Sequence, residues 1–378
     1  MLEEDLRAWT AIARAPGLDA DTLSAALSRW GGPAALLRAI GDPWQPPTLP
    51  PVARAFLASP AAVPRGADLS WLETEHHHLV PCIDPRFPPL LRDSPGCPVV
   101  LFVAGNVAAL EEPQLAVVGT RNPTHHGRET AFVFSEHLGA RGLGITSGVA
   151  EGIDACAHRG ALRAQGITLG VLGTGLDIVY PRCNDRLFHE IQERGALISE
   201  FPLGTPPRRG NFPQRNRIIA GLALGTLVVE AAERSGSLIT ARAANDIGRA
   251  VFAIPGSIHN PMNRGCHDLI KGGATLVDTP DDILRELNFS SFFVNDFRAA
   301  GTDPDDSPHA AGMDKDHKIL LDALGFDPVD LDTLVVRTGF KPDAVSSMML
   351  ILELEGHVQA APGGRYSRVA YRRAGGER

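Results

Sequence analysis

The sequence predicts an α/β protein: a doubly wound central domain, with a small helical domain before it and a winged helix after it. Three observations carry this. Between about residues 80 and 287, short apolar runs that mostly end at or next to Gly alternate with helical stretches, as in parallel strands covered on both faces. Residues 1–41 carry helical stripes instead. Residues 315–373 read as three helices, then a strand, a Pro-Gly-Gly turn and a strand.

In the first module, Leu2, Leu6, Trp9 and Ala13 make one apolar stripe. Leu23, Ala26, Leu27 and Trp30 make a second, closed by Gly31-Gly32, and Pro33 opens a third helix carrying Leu36, Leu37 and Ile40. DPWQPPTLPP (42–51) has five prolines in ten residues and reads as a linker or extended crossing. The helical domain is set at 1–78 and the central domain at 79–288. Strands are expected at 98–105, 114–119, 143–148, 167–173, 196–201, 225–231, 250–256 and 274–278, with helices such as 127–142 and 237–248 between them. Ligands of such a sheet bind at the carboxyl ends of its strands. Residues 289–314 mix Asp, Pro, Gly and Ala without periodicity and read as a flexible linker. The last domain follows, with helices at 315–324, 328–338 and about 342–355.

Composition narrows the function. The 378 residues are 44% hydrophobic, which suits two or three folded domains and excludes wholesale disorder. No run of about 18 apolar residues exists, so no membrane-spanning helix is expected. The acidic, then amphipathic start MLEEDLRAWTAIAR does not read as a secretory signal. Cys82, Cys97, Cys156, Cys183 and Cys266 form no CxxC pair, so neither a disulfide framework nor a Cys-based metal site is expected, and the chain reads as cytosolic. Net charge is −8, yet Phe201–Val229 contains no acid and four arginines: Arg208, Arg209, Arg215 and Arg217. A local positive patch inside an acidic chain points to an anionic ligand.

Five motifs can carry chemistry. In QLAVVGTRNPTHHGRETA (114–131) a strand ends at Gly119-Thr120-Arg121 before a helix, an anion site to which Arg121 adds a bidentate donor. The alternative is a tight turn whose Arg pairs with a surface carboxylate. TSGVAEGIDACAHRGAL (146–162) offers close backbone approach at Gly148 and Gly152. Its Asp154 and His158, at i and i+4, read as a dyad or as a structural helix-to-loop hydrogen bond; a metal site lacks a third ligand. His76-His77-His78 and His125-His126 have no ligand spacing and read as solvated. GVLGTGLDIVYP (170–181) reverses the dinucleotide fingerprint, which leaves no cofactor expected. RRGNFPQRNRIIAG (208–221) sets arginines and Asn211 around Phe212, the combination that single-stranded nucleic acid requires; Phe212 can instead fill the core. VVEAAERSGSLITARAAND (228–246) places Ser235-Gly236-Ser237 before a helix. Its Glu230 and Glu233 suit acid/base chemistry or bonds to the preceding arginines.

In this order, GTRNPTHHG, SGVAEGIDACAHRGAL, VLGTGLDIVYP, ISEFPLGTPPRRGNFPQRNRIIAG, VVEAAERSGSLITARAAND and VFAIPGSIHNPMNRGCHDLIKGGATLV resemble the DNA-processing protein A (DprA, or Smf) family over roughly residues 100–278. The resemblance implies a Rossmann-like central domain, a SAM-like N-terminal module and a C-terminal winged helix. It implies a non-catalytic single-stranded DNA-binding protein of natural transformation and recombination, which protects incoming strands, works beside single-strand DNA-binding protein and loads RecA. By motif, Arg121 and Arg209 become phosphate contacts and Phe212 packs a base. Gly119, Thr120, Gly148 and Asn211 line the same surface, with Arg208, Arg215, Arg217, Ser235, Gly236 and Ser237 around it. A homodimer is implied through Gly265–Val277, with His267, Ile270 and Leu276 at the interface. The winged helix departs from a duplex reader: from Asp314 onward it has ten acidic residues against nine basic ones, and its third helix carries Glu353 and Glu355. It reads as a protein-contact or weak DNA module. The other class weighed is an enzyme, a nucleotide phosphoribohydrolase on the same fold, but ERSGS stands where that family has PGGxGTxxE.

Overall fold

Nine strands form one sheet: β1 (His77–Pro81), β2 (Val100–Gly105), β3 (Gln114–Val118), β4 (Gly144–Ser147), β5 (Thr168–Val171), β6 (Ala196–Ser199), β7 (Gly225–Val228), β8 (Ala250–Ala253) and β9 (Thr275–Leu276). These come from a computed structural model that describes residues 3–42, 47–64, 66–289, 315–324 and 328–369. The spatial order is β1-β2-β6-β5-β4-β3-β7-β8-β9. From β6 to β9 all neighbours are parallel, while β1–β2 and β2–β6 are antiparallel. The chain winds outward from β3 through β4 and β5 to β6, then returns to place β7 on the other side of β3. The order reverses there, and a doubly wound sheet opens its ligand crevice at that point.

Both faces are covered. In β3, Leu115 and Val117 face one apolar cluster with Phe134, Leu138 and Phe252, while Ala116 and Val118 face another with Ile218, Ile219 and Leu238. This is why the strand reads as a continuous apolar run rather than an alternating one.

Residues 1–295 make one compact unit, 296–378 a second. Inside the first, the N-terminal helices (Glu3–Ile12, Ala20–Trp30, Pro33–Ile40) do not stand apart from the sheet. Trp9, Ile12, Leu23 and Leu36 share one buried cluster with Phe102, Leu172 and Leu197. Arg14 forks onto the buried Asp68 carboxylate at 2.6 Å and also donates to the Leu203 carbonyl at 3.3 Å. Removing either partner leaves a charge buried alone, a cost of about 3–5 kcal/mol. His77, expected to be solvated, is half-buried in β1: its ring stacks on Trp71 at 4.1 Å, and its Nδ1 lies 2.9 Å from the Trp71 carbonyl.

In the second unit, helices Lys315–Leu324, Leu331–Thr338 and Pro342–Leu354 pack through Leu320, Leu334, Val345, Met349 and Leu352. Strands β10 (Val329–Asp330), β11 (Val358–Ala361) and β12 (Arg365–Arg368) form the antiparallel sheet β10-β12-β11. The helix expected from 328 begins at Leu331, because Asp330 ends β10 and caps the helix by accepting from the Thr333 N–H at 2.7 Å. Apart from Phe289, which is buried, the expected linker 289–314 lies outside the described residues.

Candidate nucleic-acid interface

At the carboxyl ends of β3 and β7 the sheet opens into a cavity of about 490 Å³. Its lining includes the turn Gly119-Thr120-Arg121 after β3, Asp154 after β4, Tyr180 after β5, Arg209 and the first half of helix Asn211–Leu222, and Ser235-Gly236-Ser237 leading into helix Ser237–Asp246. Neither of these two helices has a side-chain N-cap, and neither has an acid in its first turn. No carboxylate of their own first turns therefore offsets their positive dipole ends.

The loops around the cavity are tied together by Glu230. Its carbonyl accepts from the Thr120 N–H at 2.8 Å. Its buried carboxylate accepts from the Thr124 N–H at 2.9 Å and from the Thr124 hydroxyl. Thr124 in turn accepts from the Gly127 N–H at 3.0 Å and so caps helix His125–Ala140. A Cβ on Gly127 would sit 2.4 Å from the Glu230 carboxyl carbon, so this contact requires glycine. Among the described residues Glu230 bonds Thr124 rather than the arginines, and it fastens the loop after β3 to the end of β7.

Phe212 is half-buried at the cavity edge. The Arg121 guanidinium lies 5.7 Å from its ring centroid, and the Tyr180 ring lies 5.5 Å away, tilted by 36°. Arg121 and Tyr180 thus both stand near the Phe212 ring, and a second cavity of about 170 Å³ is lined by all three and by Gly148 and Arg215. Arg121, Arg208 and Arg209 are exposed and make no side-chain hydrogen bond or ion pair among the described residues.

Two of the four arginines, both on helix Asn211–Leu222, carry structural duties that the acid-free stretch conceals. Arg217 pairs with Glu200, which stands immediately before that stretch. Arg215 is 5% exposed, and its Nη1 donates to the Gly148 carbonyl at 2.8 Å and to the Val171 carbonyl, joining the ends of β4 and β5. Burial pulls its guanidinium down to about 10, against the attraction of Asp154. Asp154 accepts from the N–H groups of Gly148 at 3.1 Å and Ala150 at 3.4 Å; burial pushes its carboxyl up, opposed by Arg215 and by those amides. Gly148 is glycine for the same reason: a Cβ would lie 2.5 Å from the Arg215 nitrogens. The local excess of four positive charges read from sequence is therefore partly neutralised within the fold.

The remaining expected residues divide similarly. Gly119, Thr120, Arg121, Arg209, Phe212, Arg215, Ser235, Gly236 and Ser237 meet at the larger cavity. Asn211 donates to the Gly173 carbonyl at 2.9 Å and, with Arg208 and Arg217, lines neither cavity. Asp154 and His158 form no dyad. His158 Nδ1 bonds the Thr168 hydroxyl at 2.7 Å, and burial pushes the imidazole down to about 3. The helix-to-loop bond read from sequence is made by Asp154, to the Gly148 and Ala150 amides, while His158 bonds a strand residue instead. No group of three His, Cys, Asp or Glu suited to a metal occurs among the described residues. Sequence reasoning missed Tyr180, Asn216 and Thr240, which also line the larger cavity. Tyr180 carried the signal used for Phe212, an aromatic just before proline at the end of a glycine-rich loop.

At the far sheet edge, Leu276 in β9 is 49% exposed, and Ile270 is half-buried on helix Arg264–Lys271. His267 Nε2 lies 3.0 Å from the Gly256 carbonyl. No helix among the described residues is long and apolar enough to cross a membrane.

Residues 78–288 match the family model of DNA recombination-mediator protein A, and residues 303–364 match the DprA winged helix domain. Protein Smf of Escherichia coli is 45% identical over 299 residues, 79% of each chain. The DNA processing protein DprA of Streptococcus pneumoniae is 45% identical over 207 residues, 55% of this chain and 73% of that one. The X-ray structure of DprA from S. pneumoniae superposes with a TM-score of 0.61 at 36% identity, covering 73% of this chain and 95% of that one. A structure of DNA processing protein A from Helicobacter pylori, described for its single-stranded DNA binding mode, has a TM-score of 0.51 at 27% identity over 57% of this chain and 96% of that one. With a switch-point cavity in a doubly wound domain, a winged helix and these matches over most of its length, the chain belongs to the DNA recombination-mediator protein A family, the DprA/Smf proteins.

Proposed function

We propose that the β3–β7 cavity holds single-stranded DNA without cleaving it, and that the protein serves natural transformation and recombination by protecting incoming strands and loading RecA. One observation carries the binding step: Arg121 and Arg209, both without an acidic partner among the described residues, line one cavity with the aromatic pair Phe212 and Tyr180. Guanidinium groups for phosphates beside a ring for a base grip a strand with little regard to sequence. The carboxylates of Asp154 and Glu230 are engaged in holding loops, which favours binding over cleavage. The relatives support the same role, since one is described as binding single-stranded DNA.

The proposed setting is the cytoplasm, with single-strand DNA-binding protein as a further partner. Homodimerisation through Gly265–Val277 gives the strand two cavities and raises avidity through effective concentration. The winged helix is proposed as a protein-contact or weak DNA module.

Fluorescence anisotropy with oligo-dT and a duplex of equal length tests the binding step. A single-strand preference with a salt slope of roughly −1.4 to −2.1, for two or three phosphates neutralised at about −0.7 each, is expected. Equal affinity for duplex and single strand at moderate salt overturns it. Release of base from nucleoside monophosphates would restore the phosphoribohydrolase reading.

A further inference from the structure

The larger cavity has the size of a small-molecule pocket, about 300–1,000 Å³, rather than that of a groove tracking many nucleotides. Its charge is also specific. Among its lining residues are three guanidinium groups, Arg121, Arg209 and Arg215, and one carboxylate, Asp154, a surplus of two positive charges. A phosphodiester inside a strand carries one negative charge, whereas a phosphate monoester carries about −1.5 to −2 at neutral pH.

The donors match that charge. Helix Ser237–Asp246 opens onto the cavity with no acid in its first turn, and the Ser235 and Ser237 hydroxyls, 2.7 Å apart, stand at its mouth, where Ser235 also accepts from the Ser237 N–H at 3.4 Å. Independently of that helix end, Arg215 is more than nine-tenths buried, lines the cavity and keeps its Nε without a hydrogen-bond partner. A buried donor left unmade is costly, and an anion entering the cavity offers it an acceptor.

We propose that the cavity takes the terminal phosphate monoester of a strand, so that the protein grips single-stranded DNA by a phosphorylated end. The proposal rests on the single-strand reading and refines it. The end phosphate is bound by the Ser235/Ser237 hydroxyls and the helix end, with Arg121 and Arg215 balancing its charge, while the adjoining base meets Phe212 and Tyr180.

The test measures the full chain by anisotropy against short oligo-dT carrying a 5′-phosphate, a 3′-phosphate or hydroxyls at both ends, and by competition with circular single-stranded DNA, dTMP and thymidine. The expected result is at least tenfold tighter binding of one phosphorylated end, weaker competition by the circle, and displacement by dTMP but not thymidine. Ser237→Asp, which sets a carboxylate at the helix mouth, brings the ratio of phosphorylated to hydroxyl-ended affinity to about one. A Ser235→Ala, Ser237→Ala double variant reduces that ratio and guards against misfolding of the first. Equal affinity for every end and for the circle overturns the end-binding proposal while leaving single-strand binding intact. A ratio unchanged in both variants overturns the assignment to this loop. Absence of binding to every single-stranded probe overturns the underlying reading as well. dTMP displacement without an end preference transfers the site to free nucleotides and overturns the strand-end claim.

Discussion

Phe212→Ala separates a base-stacking role from a core role, and the surroundings of the ring set both magnitudes. Phe212 is half-buried, contacting Tyr180 at 5.5 Å and Arg121 at 5.7 Å. An aromatic pair contributes about 0.5–1.5 kcal/mol and an exposed cation–π contact about 0.5–1 kcal/mol. Truncation should therefore cost about 1–2.5 kcal/mol of stability, less than the roughly 3–5 kcal/mol of a fully buried phenylalanine. If a base stacks on the ring, truncation also costs about 1–3 kcal/mol of binding. The salt slope should stay at its parental value, because no phosphate contact is removed. Thermal melting beside anisotropy titrations of oligo-dT at several salt concentrations reads all three quantities. Parental affinity in a folded variant would refute the stacking argument. A collapse in melting temperature would return the ring to the core.

Four further outcomes follow from the same geometry. Arg121→Ala should weaken binding and flatten the salt slope by roughly 0.7, whereas Arg217→Ala, whose partner is Glu200, should leave the slope unchanged in the same titrations. Gly148→Ala drives a methyl carbon to 2.5 Å from the Arg215 guanidinium, so it should cost about 3–5 kcal/mol in a chemical denaturation series by breaking a buried charged network. His158 is held neutral down to about pH 3 in the fold and protonates near 6.5 when unfolded, so the unfolded chain binds the extra proton in that window. Stability should fall as pH drops from 6.5 towards 3, and melts of His158→Gln should show a flatter dependence. Leu276→Lys alters an exposed edge-strand position, so it should keep its melting temperature while light scattering reports a monomer; an unchanged dimer would move the interface elsewhere.

The doubly wound sheet was legible because strands such as 114–119 and 225–231 are apolar without alternation, which only burial on both faces produces. The antiparallel strand β1 was not, because its short HHLVP run opens on two histidines, half-buried in the fold, and finds its partner only through pairing with β2. In the site, Arg121 and the Ser235–Ser237 loop were readable from their position after strands, and Phe212 from the arginines and Asn211 around it, although it stands in the first turn of helix Asn211–Leu222. The status of Arg215 and Arg217 was not, because a window of sequence counts charges and cannot see across the fold. Asp154 reaches Arg215 from another helix, and Glu200 stands one residue beyond the window's edge. Tyr180 escaped because its loop was weighed as a dinucleotide turn, and its approach to Phe212 is a tertiary contact.

Photo-crosslinking of the full chain to an oligonucleotide carrying bromodeoxyuridine, followed by peptide mass spectrometry, tests the central claim most directly. The account predicts crosslinks at Phe212 or Tyr180, lost under competition by unlabelled oligo-dT and reduced in Arg121→Ala. Crosslinks confined to the winged-helix residues 315–369, with none at Tyr180 after β5, at the start of helix Asn211–Leu222 after β6, or in the loops after β3 and β7, would contradict it.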